Sequence, residues 1–188
     1  MNIKYTFYQP DKVKRNSIIF YGKTFQNKDI ANRLGIKEFI EFDRSKINIF
    51  FIFRYFFSIK SYFILFRYGF ITFCLYNFLQ YYKPYLLLTF IDNDLRFYLL
   101  KKYFSKIYFV SIQNGIRGAY FDFFGLPNLK KISELKNFSC DYLFVFNNYV
   151  KLEYQKYIDA KIITCGSYKN NKVLDKKYIK NGIAFISQ

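Results

Sequence analysis

Apolar and polar positions are grouped in blocks along this chain, and the clearest grouping runs from Tyr85 to Gly118. Tyr85–Ile91 is a near-continuous apolar run that stops at Asp92, Asn93 and Asp94, the pattern of a parallel strand covered on both faces. Leu95, Tyr98, Leu99 and Tyr103 then recur at helical spacing, with Arg96, Lys101 and Lys102 turned elsewhere. Ile107–Ile112 reads as the next strand and ends in Gln113, Asn114 and Gly115. The spacing predicts a βαβ unit with two polar strand ends side by side. In open α/β sheets ligands bind outside the carboxyl ends of the strands, which makes this pair of ends the candidate site.

The same alternation extends both ways. Ser17–Tyr21 predicts a strand running into Gly22, Asn27–Leu34 a short helix closed by Gly35, and Phe39–Phe42 a second short strand. Tyr5–Tyr8 is a weaker strand pattern, cut off by Pro10 and the charged residues up to Arg15. Downstream, Asp141–Phe146 and Lys161–Thr164 read as strands around a helix at Tyr149–Tyr157, and Gly182–Ser187 starts one more strand after a charged connector, Lys172–Lys180. Between Gly118 and Cys140 the chain is irregular, with Gly125, Pro127 and a helical pattern near Leu129–Lys136. Loops of this size beside strand ends are often functional.

Ile47–Tyr82 differs from the rest: it is aromatic and aliphatic throughout, with Arg54, Lys60 and Arg67 as its charges before Lys83. Its longest uncharged run, Tyr68–Tyr82, falls short of the ~20 residues a membrane-spanning helix needs. Two readings stand. Either two helices, broken near Ser58–Ser61 or at Gly69, lie against the sheet, or part of this cation-studded face lies on a membrane surface.

With 188 residues the chain is long enough for one α/β domain that buries about two-thirds of its unfolded surface. Its three cysteines are far apart and odd in number, which fits buried free thiols in a reducing compartment, and the first residues lack the pattern of a signal peptide. A cytoplasmic location follows as the expectation, peripheral on the inner face of the membrane under the second reading above. The formal net charge is +17. It reads either as a solvated lysine surface or as a basic face toward phosphates, polyanionic polymer or membrane. Nucleic acid is disfavoured as a partner, because zinc-ligand pairs, RNP-type aromatic motifs and a helix-turn-helix glycine turn are missing. The chain contains no histidine, which excludes Ser-His-Asp and Cys-His catalysis and leaves a carboxylate, tyrosine, lysine or cysteine as any general base. No metal or cofactor is implied.

Read as residues, Gly115 lets the backbone turn so that amide groups face a substrate, and Arg117 is placed to meet a phosphate; an ordinary βα loop is the simpler account. Asp122 and Glu134 are further acids of the long loop, for which a solvated surface role suffices. Asp92 or Asn93 would also serve as the cap of the helix beginning near Leu95.

The order TFIDND (Thr89–Asp94), FVSIQNGIRG (Phe109–Gly118), DYLFVFN (Asp141–Asn147), CGSYKNN (Cys165–Asn171) and AFISQ (Ala184–Gln188) resembles bacterial surface-carbohydrate biosynthesis proteins of the capsule and O-antigen type, related to the two-domain GT-B glycosyltransferases. The resemblance covers roughly Phe50 to the C-terminus. It implies a Rossmann-like parallel sheet with flanking helices as an N-terminal, acceptor-side domain over residues 1–172, with 173–188 forming a linker and the first strand of a second half. That second half, missing from this chain, would hold most of a nucleotide-activated sugar donor, so the chain by itself is expected to be inactive, and the acceptor would be a glycan or a lipid-linked glycan. Asp92 would then be the base that takes the acceptor's proton. Asn93, Gln113, Asn114, Gly115 and Arg117 would contact acceptor or phosphate, and Gly166, Ser167, Lys169, Asn170 and Asn171 would edge the interdomain cleft. Lys169 stands where the family has arginine, and Asp94 where a second asparagine is usual, so a clamp at Lys169 would lack the bidentate fork. The competing expectation is a non-catalytic membrane-surface binding or scaffold protein built on Ile47–Tyr82.

Overall fold

A computed structural model describes residues 3–7, 17–55, 57–115 and 138–168. Its centre is a six-stranded, all-parallel sheet in the order β3-β2-β5-β6-β7-β8. The strands are β2 (Ile18–Tyr21), β3 (Ile40–Phe42), β5 (Leu86–Thr89), β6 (Tyr108–Ile112), β7 (Phe138–Val145) and β8 (Ile158–Thr164). A small parallel pair, β1 (Lys4–Thr6) with β4 (Lys46–Asn48), stands apart from it. The flanking helices are α1 (Phe25–Arg33), α2 (Phe50–Arg54), α3 (Ile59–Tyr68), α4 (Phe70–Tyr82), α5 (Leu95–Leu100) and α6 (Asn148–Gln155).

The predicted βαβ unit is present, with Leu86–Thr89 opposite Tyr108–Ser111 in parallel register. Period-two alternation sends the side chains of each central strand into two cores. Ile19, Tyr21, Leu87, Phe109, Leu143 and Val145 join α4, α5 and α6 in the larger one. Phe20, Leu88, Phe90 and Ile112 meet Ala31 of α1 in the smaller one. Burial on both faces explains why β5 reads as a continuous apolar run rather than an alternating one. The strands predicted at Ser17–Tyr21, Phe39–Phe42, Asp141–Phe146 and Lys161–Thr164 are matched to within a few residues, although β7 starts earlier, at Phe138, and β8 at Ile158.

Ile47–Tyr82 departs from the two-helix expectation. Its first residues belong to β4, and the helical remainder breaks at both suggested points, near Ser58 and at Gly69, to give three helices. Ser58 caps α3 by accepting from the Ser61 N–H, and Gly69, at φ +84°, takes a left-handed turn that an L side chain would strain. The cap of α5 is Asp94, whose side chain accepts from the Arg96 N–H, rather than Asp92 or Asn93. Cys74 and Cys140 are buried as expected, but Cys165, just past β8, is exposed. Burial pushes the Cys74 thiol up to about 12, which keeps it protonated and inert. The helix at Leu129–Lys136, the strand at Gly182–Ser187 and the proposed division at residue 172 lie outside the described residues.

Candidate functional site

The sheet order reverses between β2 and β5: β3 lies beyond β2 on one side, and β6 to β8 follow β5 on the other. The carboxyl ends of β2 and β5 therefore lead into different loops, the position at which open α/β sheets form a ligand crevice. Gly22 closes β2 at φ +88°, where an L side chain is strained, and a Cβ there would also push against the end of the Ile91 side chain on β5's exit loop.

One wall of the crevice is the start of α1. Gln26 and Asn27 are almost wholly buried despite being polar. Asn27 Nδ2 donates to Gly22 O and to Glu41 Oε1, both at 2.8 Å, while Thr24 Oγ1 donates to Asn27 Oδ1 at 2.7 Å. Gln26 Nε2 donates to Asn114 Oδ1 at 2.7 Å, which ties the β2 exit to the β6 exit across the intervening strand. Burying such amides is tolerable only when they are paired, as these are.

Beneath Asn114 lies Asp92, at 0% exposure. Its Oδ1 accepts from the Asn114 N–H at 3.3 Å and its Oδ2 from the Tyr154 hydroxyl at 2.6 Å. Tyr98 donates to the Asp92 carbonyl at 2.7 Å and lies 3.0 Å from Ser111 Oγ. Burial, then the neighbouring Tyr154, Cys140 and Asp92, push the Tyr98 hydroxyl well above its ordinary range. Gln113 is also buried: its Oε1 accepts from the Phe146 N–H and its Nε2 donates to Gly115 O, both at 2.8 Å, so it stitches the β6 exit to that of β7.

A second, ionic cluster surrounds Asp94. Tyr21 OH donates to Oδ2 at 2.6 Å, Arg44 Nη1 to the same oxygen at 2.7 Å, and Arg96 reaches both oxygens through Nε and Nη2 at 2.8 Å. Burial works to raise the Asp94 carboxyl, but the bonds and charge of Arg96, the Tyr21 hydroxyl and the Arg44 charge outweigh it and hold it below the usual carboxylate range. The same burial and the Asp94 charge push the Tyr21 hydroxyl far up, so it stays a donor. Arg44 and Arg96 remain about a third exposed, leaving guanidinium edges toward solvent.

The structure thus brings Asp92, Gln113, Asn114 and Gly115 together at the β5 and β6 exits, and Asn93 is exposed beside them. Gly166, at φ +76°, and Ser167 follow β8 half-buried. Tyr168 carries that segment onto Phe90 and donates to Asp29 of α1 at 2.8 Å. Arg117, Lys169, Asn170 and Asn171 lie outside the described residues, as do Asp122 and Glu134. Sequence reasoning missed Gln26, Asn27, Glu41, Arg44, Arg96 and Tyr154. The first two had a legible signal: adjacent amides in the first turn after a strand and a glycine, where solvent exposure would be the default. The other four are joined by the fold alone.

A cavity of about 360 Å³ opens beside Glu41, between β3, β4, α2 and α4. Phe42, Phe51, Phe78 and Tyr82 form its apolar wall, and Asp43 and Lys46 its polar margin. Among the described residues no three Cys, Asp or Glu side chains gather into a group able to hold a metal ion, and no described helix is long and apolar enough to cross a membrane.

Comparison with known proteins adds one finding. Residues 110–188 match a family described as "putative O-antigen biosynthesis protein". The matched stretch includes Asn114 and the β7–α6–β8 end of the sheet, and it supports a general role in surface-carbohydrate biosynthesis. No curated protein and no solved structure matches the chain.

Proposed function

We propose that this chain is the acceptor-side domain of a glycosyltransferase-like protein of surface-polysaccharide assembly, moving a sugar or polyol phosphate from a nucleotide-activated donor to a glycan or lipid-linked acceptor. The observation that carries this reading is the paired, buried amide network at the switch point, Gln26–Asn114 and Asn27–Glu41, in a chain whose residues 110–188 resemble an O-antigen family. Fixed amides and a carboxylate at a crevice suit the hydroxyl groups of a sugar, each of which needs both a donor and an acceptor. Arg44 and Arg96 at the neighbouring exit suit a phosphate.

Two carboxylates are candidates for the acceptor's proton. Asp92 reaches the crevice only if Asn114 lifts off it, whereas Glu41 is half-buried at the mouth. In this reading Glu41→Gln abolishes turnover with little loss of stability if Glu41 is the base. Asp92→Asn costs both, because its carboxylate also holds Tyr154.

The test is thermal shift of the full-length protein against a panel of nucleoside diphosphates and nucleotide sugars, paired with the lipopolysaccharide ladder of a deletion strain. A ligand at 100 times its Kd stabilises by about 2.7 kcal/mol, and each kcal/mol raises Tm by roughly 2–4 °C for a chain of this size. One nucleotide class should therefore shift Tm by several degrees, with the shift reduced in Arg44→Ala/Arg96→Ala. An unchanged ladder together with no response to any nucleotide sugar overturns the proposal.

A further inference from the structure

We propose that the outer face of α3 and the turn before it form a docking surface for an anionic lipid bilayer. Among the described residues, five large apolar side chains are exposed within fourteen positions: Phe53, Phe57 (93% exposed), Ile59 (86%), Phe63 and Phe66 (84%). Ile59, Phe63 and Phe66 are spaced i, i+4, i+7 and share one face of α3, while Ser61 and Ile64 on the other face are buried toward α4. Soluble surfaces rarely group large apolar side chains in this way.

Charge decides which occupant fits. From Arg44 to Ile91 the chain contains no aspartate or glutamate, and its cations are Arg44, Lys46, Arg54, Lys60, Arg67 and Lys83. Arg54, Lys60 and Arg67 are exposed within or beside the apolar face. At the helix end Arg67 lies 5.8 Å from the ring centres of Phe63 and Tyr68, and Lys102 lies over Tyr68 and Tyr103. A protein partner would ordinarily be met by charges of both signs. Aromatic rings fringed, along this stretch of chain, by cations alone match the acyl boundary and the phosphate layer of a bilayer leaflet, with the rings below the headgroups and the cations level with them. The helix lies in the interface plane and does not cross it, in keeping with its 10-residue length.

The absence of tryptophan from the chain makes the test specific. A single Phe57→Trp substitution reports on this face, and Leu152→Trp, on the exposed side of α6, reports on another. Full-length protein is mixed with phosphatidylcholine vesicles with and without roughly 30% phosphatidylglycerol, and binding is followed by flotation and by emission wavelength. The expected result is flotation with the anionic vesicles, a blue shift at position 57 and none at 152. A Phe57→Ser/Phe63→Ser/Phe66→Ser variant should bind at least tenfold more weakly. Lys60→Gln/Arg67→Gln should weaken binding several-fold and flatten its salt dependence, and this second variant serves if the first fails to fold. Any of three results overturns the proposal: no binding to anionic vesicles, equal shifts at both tryptophans, or a dimer that the serine variant dissociates without vesicle binding having been seen.

Discussion

α3 and α4 are consecutive helices of nearly the same aliphatic and aromatic composition, yet they meet opposite fates. In α4 every residue from Thr72 to Leu79 is buried, because the helix is held between the sheet, α2 and α3. In α3 only Ser61 and Ile64 are buried, and Phe63 and Phe66 stand in solvent. Apolar content therefore says little about what covers a helix. The position of charge says more: α4 has none, whereas α3 has Lys60 and Arg67 on its uncovered side.

The difference should be largest in stability. Phe78 packs its ring within 5.2 Å of those of Phe42, Phe51 and Tyr82, and Phe78→Ala is expected to cost about 3–5 kcal/mol in urea denaturation. Phe66→Ala in α3 is expected to stay within about 0.5 kcal/mol of the wild type. Equal losses would mean that α3's outer face is covered in solution.

pH sharpens the contrast further. Neither helix carries an acid, so their packing should be indifferent to pH between about 3 and 7. An acid response should instead come from carboxylates outside both helices, Asp94 and Asp43 among them. The Asp94 carboxyl is held lower in the folded than in the unfolded protein, so its contribution is fully present above the unfolded value near 3.9 and is lost as pH falls through the folded one. Asp94→Asn should lower stability at pH 7 by about 2 kcal/mol, within the range for a buried group losing charged bonds, and make the decline below about pH 4 shallower. Phe78→Ala should shift the whole stability curve down without changing that slope.

A smaller effect than at Phe78 or Asp94 is expected at the seam between the two helices. Ser61 Oγ donates to Asn77 Oδ1 at 2.8 Å, and Asn77 Nδ2 is buried with no partner among the described residues. Ser61→Ala alone should cost about 1 kcal/mol by orphaning the amide oxygen as well, whereas Ser61→Ala with Asn77→Leu should recover most of it. Thermal melts of the two variants check this.

The elements were largely legible because period and punctuation agree. β5 and β6 are apolar runs ending in polar residues, and Gly22, Gly35 and Gly69 mark real ends. The site was legible where its residues sit on one βαβ unit, as with Asp92, Gln113 and Asn114. It was not legible where partners come from distant chain: Tyr154 reaches Asp92 across 62 positions and Gln26 reaches Asn114 across 88, separations over which no local pattern carries information. Arg96 reads in the sequence only as a cation turned from the apolar stripe of its helix and Arg44 carries no local signal; the fold closes both on Asp94.

The placement of β2 between β3 and β5 has a consequence for how the chain emerges during synthesis. β3 follows β2 closely, but 64 residues separate Tyr21 from Leu86 on β2's other side. At translation rates of roughly 5–20 residues per second, about 3–13 s pass before that neighbour leaves the ribosome. α2, α3 and α4 are all made within this interval, before β5 to β8 exist to complete the sheet that covers them. The acid-free stretch that ends up half inside and half outside the folded domain is thus wholly uncovered at first, and a nearby anionic surface would meet it before the core does.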